Sequence, residues 1–220
     1  MSDFIPYSRP FVAADEMVQN TAEHFAYMDQ RRSLREFSDK PVPREVIENI
    51  LKSASTAPSG AHKQPWTFCV VGNPDLKKQI REAAEKEEYT NYNGRMSDSW
   101  LEDLQPFGTD WHKPFLEIAP WLIIVFKRAY EFGEDGEKLN NYYVNESVGL
   151  ATGFLLQAIH QAGLVALTHT PSPMNFLTKL LERPSNERSY LLIPVGYPAE
   201  NAQVPVLERK PIEDISVFYE

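Results

Sequence analysis

Apolar positions recur along this chain with two periods, one helical and one extended, and their order sets out the elements. Residues Asp15–Arg31 carry Met17, Phe25 and Met28 in a polar background, which predicts a first helix. Pro43 opens a second helix at its first turn, where Val46, Ile47, Ile50 and Leu51 form the i, i+1, i+4, i+5 stripe of a buried face. That helix stops before Pro58-Ser59-Gly60. Trp66–Val71 (WTFCVV), bounded by Pro65 and Gly72, predicts a strand, and Pro74–Glu88 a polar helix. From Tyr89 to Lys113 the chain is strongly charged, carries two glycines and shows few clean stripes, so the pattern there is ambiguous.

The second half reads more cleanly. Trp121–Phe126 is apolar at consecutive positions, as expected of a strand covered on both faces and central in its sheet. Val144–Ala162 is the longest amphipathic stretch, with Val148, Ala151, Leu155, Ala158, Ile159 and Ala162 on one broad stripe and Gly163 placed to end it. Leu164–Thr168 and Tyr190–Val195 predict two further strands, with a short helix near Phe176–Leu181 between them. Helices interleaved with strands make the fold α/β or α+β. Pro194, Pro198, Pro205 and Pro211 are spread through the tail, so residues from about 198 to 220 are expected to run as an arm over a surface, a partner subunit being a natural one.

Composition narrows the class. A chain of 220 residues, 42% hydrophobic and 24% charged, fits one globular domain, expected to span 1–220, and is neither disordered nor fibrous. The most apolar run, Pro120–Phe126, is strand-sized and far short of a membrane span. The opening MSDFIPYSRP lacks the basic head and apolar run of a secretory signal. A single cysteine, Cys69, excludes an intrachain disulfide and a thiol zinc site, and its place in mid-strand suggests a buried, inert thiol. Twenty-two basic against 31 acidic residues give a net charge of −9, the wrong sign for a nucleic-acid binder.

Three clusters could carry chemistry. In RRSLREF, Arg31, Arg32 and Arg35 surround Ser33, and packing guanidinium groups this closely suits an anion such as a phosphate. A basic helix end pairing with Glu36 or Asp39 accounts for the same pattern. Glu208-Arg209-Lys210 is a second basic group able to close one anion site with the first. Pro58-Ser59-Gly60-Ala61 lies between a helix and a strand, where Gly60 permits close backbone approach to a flat ligand or makes a tight turn. Glu88 and Tyr92, spaced i, i+4, share a helix face, and with Lys113 they offer a carboxylate, a phenol and an ammonium group, a set suited to an amino-acid zwitterion. A solvated charged face is the plainer alternative. The histidines His24, His62, His112, His160 and His169 show no metal-ligand spacing, His160 within the long helix has a structural setting, and no metal site is expected. Neither G-x-S-x-G, a P-loop nor G-x-G-x-x-G occurs.

In order, RRSLREF, APSGAHKQPWTF (57–68), NYNGRM (91–96), TDWHKPFLEIAPWLI (109–123), THTP (168–171), LIPVGYP (192–198) and VPVLERKP (204–211) resemble the flavin-dependent nitroreductase superfamily. The likeness runs from about His24 to the C-terminus, and the Glu88/Tyr92/Lys113 set with Thr170 points to its iodotyrosine deiodinase branch. The resemblance implies an α+β fold, a mostly antiparallel sheet flanked by helices, in an intertwined homodimer that binds FMN at each of two subunit interfaces. It implies that Arg31, Ser33 and Arg209 hold the phosphate, that Arg32 contacts the nucleotide or supports its neighbours, and that Arg35 sits near N1 and the C2 carbonyl, where a cation favours the reduced ring. Pro58, Ser59 and Gly60 are implied to reach the flavin across the interface, and Thr168 and Thr170 to line it, with the Thr170 hydroxyl hydrogen-bonding N5.

The same resemblance gives the reaction. Glu88, Tyr92 and Lys113 are implied to clamp the zwitterion of a 3-halotyrosine, its phenolate resting against the N–H of Ala61, while the reduced flavin removes the halide in single-electron steps that need no protein nucleophile. Residues 89–113 are expected to act as a substrate lid that orders around its ligand. An external reductant is required, NAD(P)H directly or a reductase. This chain shows no N-terminal membrane anchor, and the cytoplasm is its expected location. Two rival readings stand beside this one: a general nitroaromatic or quinone reductase using NAD(P)H, and a flavin-independent binding protein that keeps the fold.

Overall fold

The computed structural model describes residues 4–220; residues 1–3, the start of the segment read as lacking a signal, lie outside the described residues. The chain divides into two units, Met1–Arg32 and Ser33–Glu220. In the first, helix α1 spans Ala14–Asp29, with Asp15 and Glu16 in its first turn complementing the helix dipole. No residue of α1 is buried, and Met17, Val18 and Phe25 are exposed.

The larger unit is built on a four-stranded antiparallel sheet. Helix α2 (Arg44–Ser55) follows Pro43 and buries Ile47, Ile50 and Ala54. A turn over Gly60–His62 leads to β1 (Trp66–Val71), the strand expected there. Helix α3 (Pro74–Thr90) starts with the Asn73 side chain accepting from the N–H of Leu76. A π turn (Asn91–Arg95) and α4 (Asp98–Leu104), capped by Ser97, then resolve the ambiguous stretch as mostly helical. Its stripe is Met96, Trp100 and Leu104, one apolar residue per turn among charges. Helix α5 (Phe115–Ile118) precedes β2 (Trp121–Arg128), and a hairpin of β3 (Tyr130–Phe132) and β4 (Lys138–Asn140), not foreseen from the pattern, turns through Gly133–Gly136. Helix α6 (Val144–Gln161), β5 (Val165–Ala166), α7 (Asn175–Leu180), β6 (Glu187–Gly196) and the exposed turn α8 (Ile212–Ile215) complete the chain.

Strand order is β1-β2-β6-β5. β2 is internal, as its unbroken apolar run implies: Ile123 and Val125 pack with α2 and α6 on one face, Leu122, Ile124 and Phe126 with α3, α5 and α7 on the other. Each of these five side chains is fully buried. Gly163, at φ 74°, ends α6 in the left-handed region that glycine adopts without strain. β5 is shorter than the Leu164–Thr168 strand expected. Val165 pairs with Gly196 and Ala166 with Val195, and His169 rejoins the same register at Leu192. Between them Leu167 falls opposite Pro194, which has no N–H to donate, so the ladder opens there. Cys69 is half-buried rather than buried as expected, and burial raises its thiol pKa, which favours the thiol over the thiolate. No helix among the described residues is long and apolar enough to cross a membrane.

Candidate active site

The interruption opposite Pro194 places a short loop, Thr168–Thr170, at the sheet margin with both threonines exposed and His169 buried between them. The loop faces a cavity of about 200 Å³ that also receives Arg35, Glu88, Tyr92 and Lys113. Six sequence-predicted residues therefore converge on one space. Apart from Thr109 its remaining wall is apolar: Phe115 and Leu167 from the core, and Met96, Trp100 and Leu104 from the segment after α3.

Glu88 lies in the last turns of α3, and Tyr92 four residues on, so the two share a face. Lys113 arrives from the loop before α5. Its ammonium lies 3.5 Å from Glu88 Oε2 and 5.5 Å from the centre of the Tyr92 ring, and it donates to Thr109 Oγ1 at 3.2 Å and to the Asp110 carbonyl. The side chains of Glu88 and Lys113 are 7% and 4% exposed, so this is a buried ion pair. Burial raises the Glu88 pKa, with Lys113 pulling it back down, and burial lowers the Lys113 pKa against the opposing pull of Glu88. The Tyr92 hydroxyl donates to the Thr109 carbonyl at 3.3 Å, and burial raises the phenol pKa.

The segment carrying Tyr92 is tied to the threonine loop. Asn91, buried, donates from Nδ2 to the Ser172 carbonyl at 2.9 Å, and Arg95 donates to Asn91 Oδ1 and to the same carbonyl. His169 is held by paired backbone bonds to Leu192, and its ring meets Phe115 edge-on at 5.7 Å. Burial, then the nearby charges of Lys113 and Arg35, bring its pKa down to about 3, so the imidazole is neutral. Its Nε2 is buried without a hydrogen-bond partner.

Arg35 also lines a second cavity, of about 390 Å³, with Ser33, Phe107, Gln203 and Val204. Its guanidinium sits over the Phe107 ring at 5.7 Å, and burial lowers its pKa. The neighbouring chain is fixed by Glu36, whose carboxylate accepts the Gln203 N–H at 2.6 Å and whose carbonyl accepts the Ala199 N–H. One half-buried cation is thus shared by a cavity with the exposed Ser33 hydroxyl and a cavity with the threonine hydroxyls and the buried ion pair.

Other predicted residues lie elsewhere. Arg31 and Arg32 belong to the N-terminal unit and are half-buried. Arg209 is exposed on the C-terminal arm. Pro58, Ser59, Gly60 and Ala61 line neither cavity of their own chain. Their turn packs beside the start of α6: the Gly60 N–H donates to Ser147 Oγ at 3.3 Å, and a Cβ on Gly60 would come within 2.8 Å of the Tyr142 carbonyl. Glycine is required there by Tyr142. Ala61 is exposed and takes φ 48°. Reading the sequence missed His169, Phe107 and Glu85, the last of which accepts the backbone N–H of Lys113; the 96/100/104 stripe was a signal available for the cavity wall.

Comparison with known proteins gives the family. The Nitroreductase family matches residues 28–197. The chain is similar to an iodotyrosine deiodinase of Haliscomenobacter hydrossis, 66% identical over 98% of this chain and 97% of that protein. It is similar also to iodotyrosine deiodinase 1 of Homo sapiens, 45% identical over 98% of this chain and 75% of that protein. Among solved structures it resembles oxidized iodotyrosine deiodinase bound to FMN and 3-iodo-L-tyrosine, with a TM-score of 0.75 and 32% identity over 89% of this chain and 98% of that one. This chain belongs to the nitroreductase family, among the iodotyrosine deiodinases.

Proposed function

We propose that the protein is an FMN-dependent reductive dehalogenase of halogenated tyrosines, converting 3-iodo-L-tyrosine to L-tyrosine and iodide as a homodimer. The observation that carries this reading is the buried Glu88–Lys113 pair with Tyr92 in one cavity. A free amino acid is the ligand class that bears a cation and an anion on one carbon, complementary to both. Similarity to a deiodinase bound to FMN and 3-iodo-L-tyrosine supports the same assignment.

The residues present fit FMN. A phosphate and a flavin ring ask for cations, neutral donors and a partner at N5, and Arg35, Ser33, Thr168 and Thr170 supply these types around adjoining cavities. Arg31, Arg32 and Arg209 add charge for the phosphate, and the Pro58–Gly60 turn of each protomer serves the flavin of its partner. Exposed Leu150 and Phe154 on α6, and Val206, Ile215, Val217 and Phe218 on the arm, are apolar surface suited to that second subunit. When bound, the reduced flavin supplies the two electrons with which the carbon–halogen bond is broken, halide leaving with the bond pair and the ring carbon gaining a proton. Glu88 accepts from the substrate ammonium, Lys113 and Tyr92 donate to its carboxylate, and the Ala61 N–H holds the phenolate. The Thr170 hydroxyl, able to donate or accept, meets N5 in either protonation state. Residues 89–113 act as the lid, with Met96, Trp100 and Leu104 excluding water. Electrons come from NAD(P)H or a reductase.

Anaerobic titration of the reduced protein with 3-iodotyrosine tests the reading. Flavin reoxidation with matching iodide and tyrosine is expected. Glu88→Gln and Lys113→Ala are each expected to weaken 3-iodotyrosine binding by about 10- to 100-fold, the cost of a lost charge-assisted bond, while nitroarene turnover persists. Unchanged halotyrosine affinity in both variants favours a general reductase, and a colourless protein that takes up no FMN refutes the flavin chemistry.

A further inference from the structure

We infer that Glu85 is the positioning residue for Lys113 and, through it, for the carboxylate end of the substrate; the inference rests on the clamp reading above. Glu85 stands three residues before Glu88 on α3, so one helix presents two carboxylates toward the same lysine from different heights. They take different parts of it. Glu88 pairs with the ammonium, whereas Glu85 Oε1 accepts the backbone N–H of Lys113 at 2.7 Å, across 28 positions of sequence. The other oxygen of Glu85 pairs with Arg81, whose Nε is bound in turn by Glu117. The Glu85 side chain is 13% exposed, which makes its bond to an N–H a charge-assisted contact largely removed from water.

The Lys113 backbone is consequently fixed on both sides. Its N–H is held by Glu85, and its carbonyl accepts the Leu116 N–H at 3.0 Å in the first turn of α5. Arg81 locks the arrangement by joining Glu85 to Glu117 on that same short helix. A lysine is a long stem with many rotamers, and a clamp built on one is only as well placed as its Cα. Glu85 and Arg81 set that Cα relative to Glu88, so the distance between the two charges that grip the ligand is defined by one helix, α3.

A general stabilising role and a positioning role give different results with two ligands. The experiment measures Kd on the FMN-loaded protein for 3-iodo-L-tyrosine and for 3-iodotyramine, which lacks only the carboxylate. Wild type is expected to prefer 3-iodo-L-tyrosine by about 10-fold or more. Glu85→Ala is expected to weaken 3-iodo-L-tyrosine by about 10-fold and 3-iodotyramine by less than about 2-fold, with the FMN Kd unchanged. Glu85→Gln, which keeps an amide oxygen for the Lys113 N–H, recovers most of that loss. Should Glu85→Ala fail to fold, Arg81→Met removes the anchor while leaving the acceptor, and it shows the same ligand-selective loss in smaller measure. Equal weakening of both ligands, or none, overturns the assignment of Glu85. A wild type that does not distinguish the two ligands instead overturns the clamp on which it rests.

Discussion

Acid should destabilise this protein through His169 by an amount that the structure sets. The ring is buried beside the Lys113 and Arg35 cations, and its pKa lies at about 3 against the usual 6.5. Above pH 6.5 the imidazole is neutral in both folded and unfolded chains and contributes no pH dependence. Below it the unfolded chain takes up a proton that the folded one refuses, so stability falls as pH drops toward the folded value. Each pH unit inside that window costs about 1.4 kcal/mol, hence about 2–3 kcal/mol between pH 6.5 and 4.5. His169→Phe keeps a ring against Phe115 and removes the titration. Urea unfolding of wild type and variant at matched pH and one fixed FMN concentration isolates the term, because the carboxylates titrate alike in both. The variant is expected to gain about 2–3 kcal/mol relative to wild type on going from pH 7 to 4.5. Parallel stability curves over that range would refute the argument, whatever the offset between them.

Two further substitutions test the frame that holds the site. Gly72→Ala sets a Cβ within 2.5 Å of the Trp121 ring, and Trp121 is itself fixed by donating from Nε1 to the Val42 carbonyl at 2.8 Å. A loss of about 1–3 kcal/mol in denaturant unfolding is expected, with a shift in tryptophan emission as the ring moves. Lys77 is buried and donates to the Glu117 and Ala119 carbonyls, at 2.7 and 2.8 Å, at the end of α5. Lys77→Met leaves both acceptors without that donor, for an expected loss of about 1–3 kcal/mol in the same assay.

The parts of the fold that repeat a simple period were legible. β1 has the bounds its β-branched run implies, and β2 is internal because no polar residue interrupts it. The strand expected at Leu164–Thr168 was overruled by Pro194 on another strand, a partner that local pattern does not contain. The hairpin was missed because its strands are three residues each, too short for a period to show, although Gly133 and Gly136 mark its turn. Charge hid the 96/100/104 stripe in the stretch after α3. At the site, the Glu88–Tyr92 spacing was readable because both lie on one helical run, and Lys113 joined them through an order of motifs. Glu85 and His169 were unreadable in principle: one acts on a backbone N–H 28 residues away, and the other is defined by what surrounds it.

Glu88 and Lys113 already satisfy one another across 3.5 Å. On the proposed clamp, admission of an amino acid is an exchange of partners, in which one internal pair gives way to two external ones. An amine alone, or an acid alone, can dissolve that pair but strands the opposite charge in a dry wall, where an unmatched ion is heavily penalised. Discrimination then comes from the group left behind rather than from the group embraced, and a molecule charged at one end is turned away even when its ring fits.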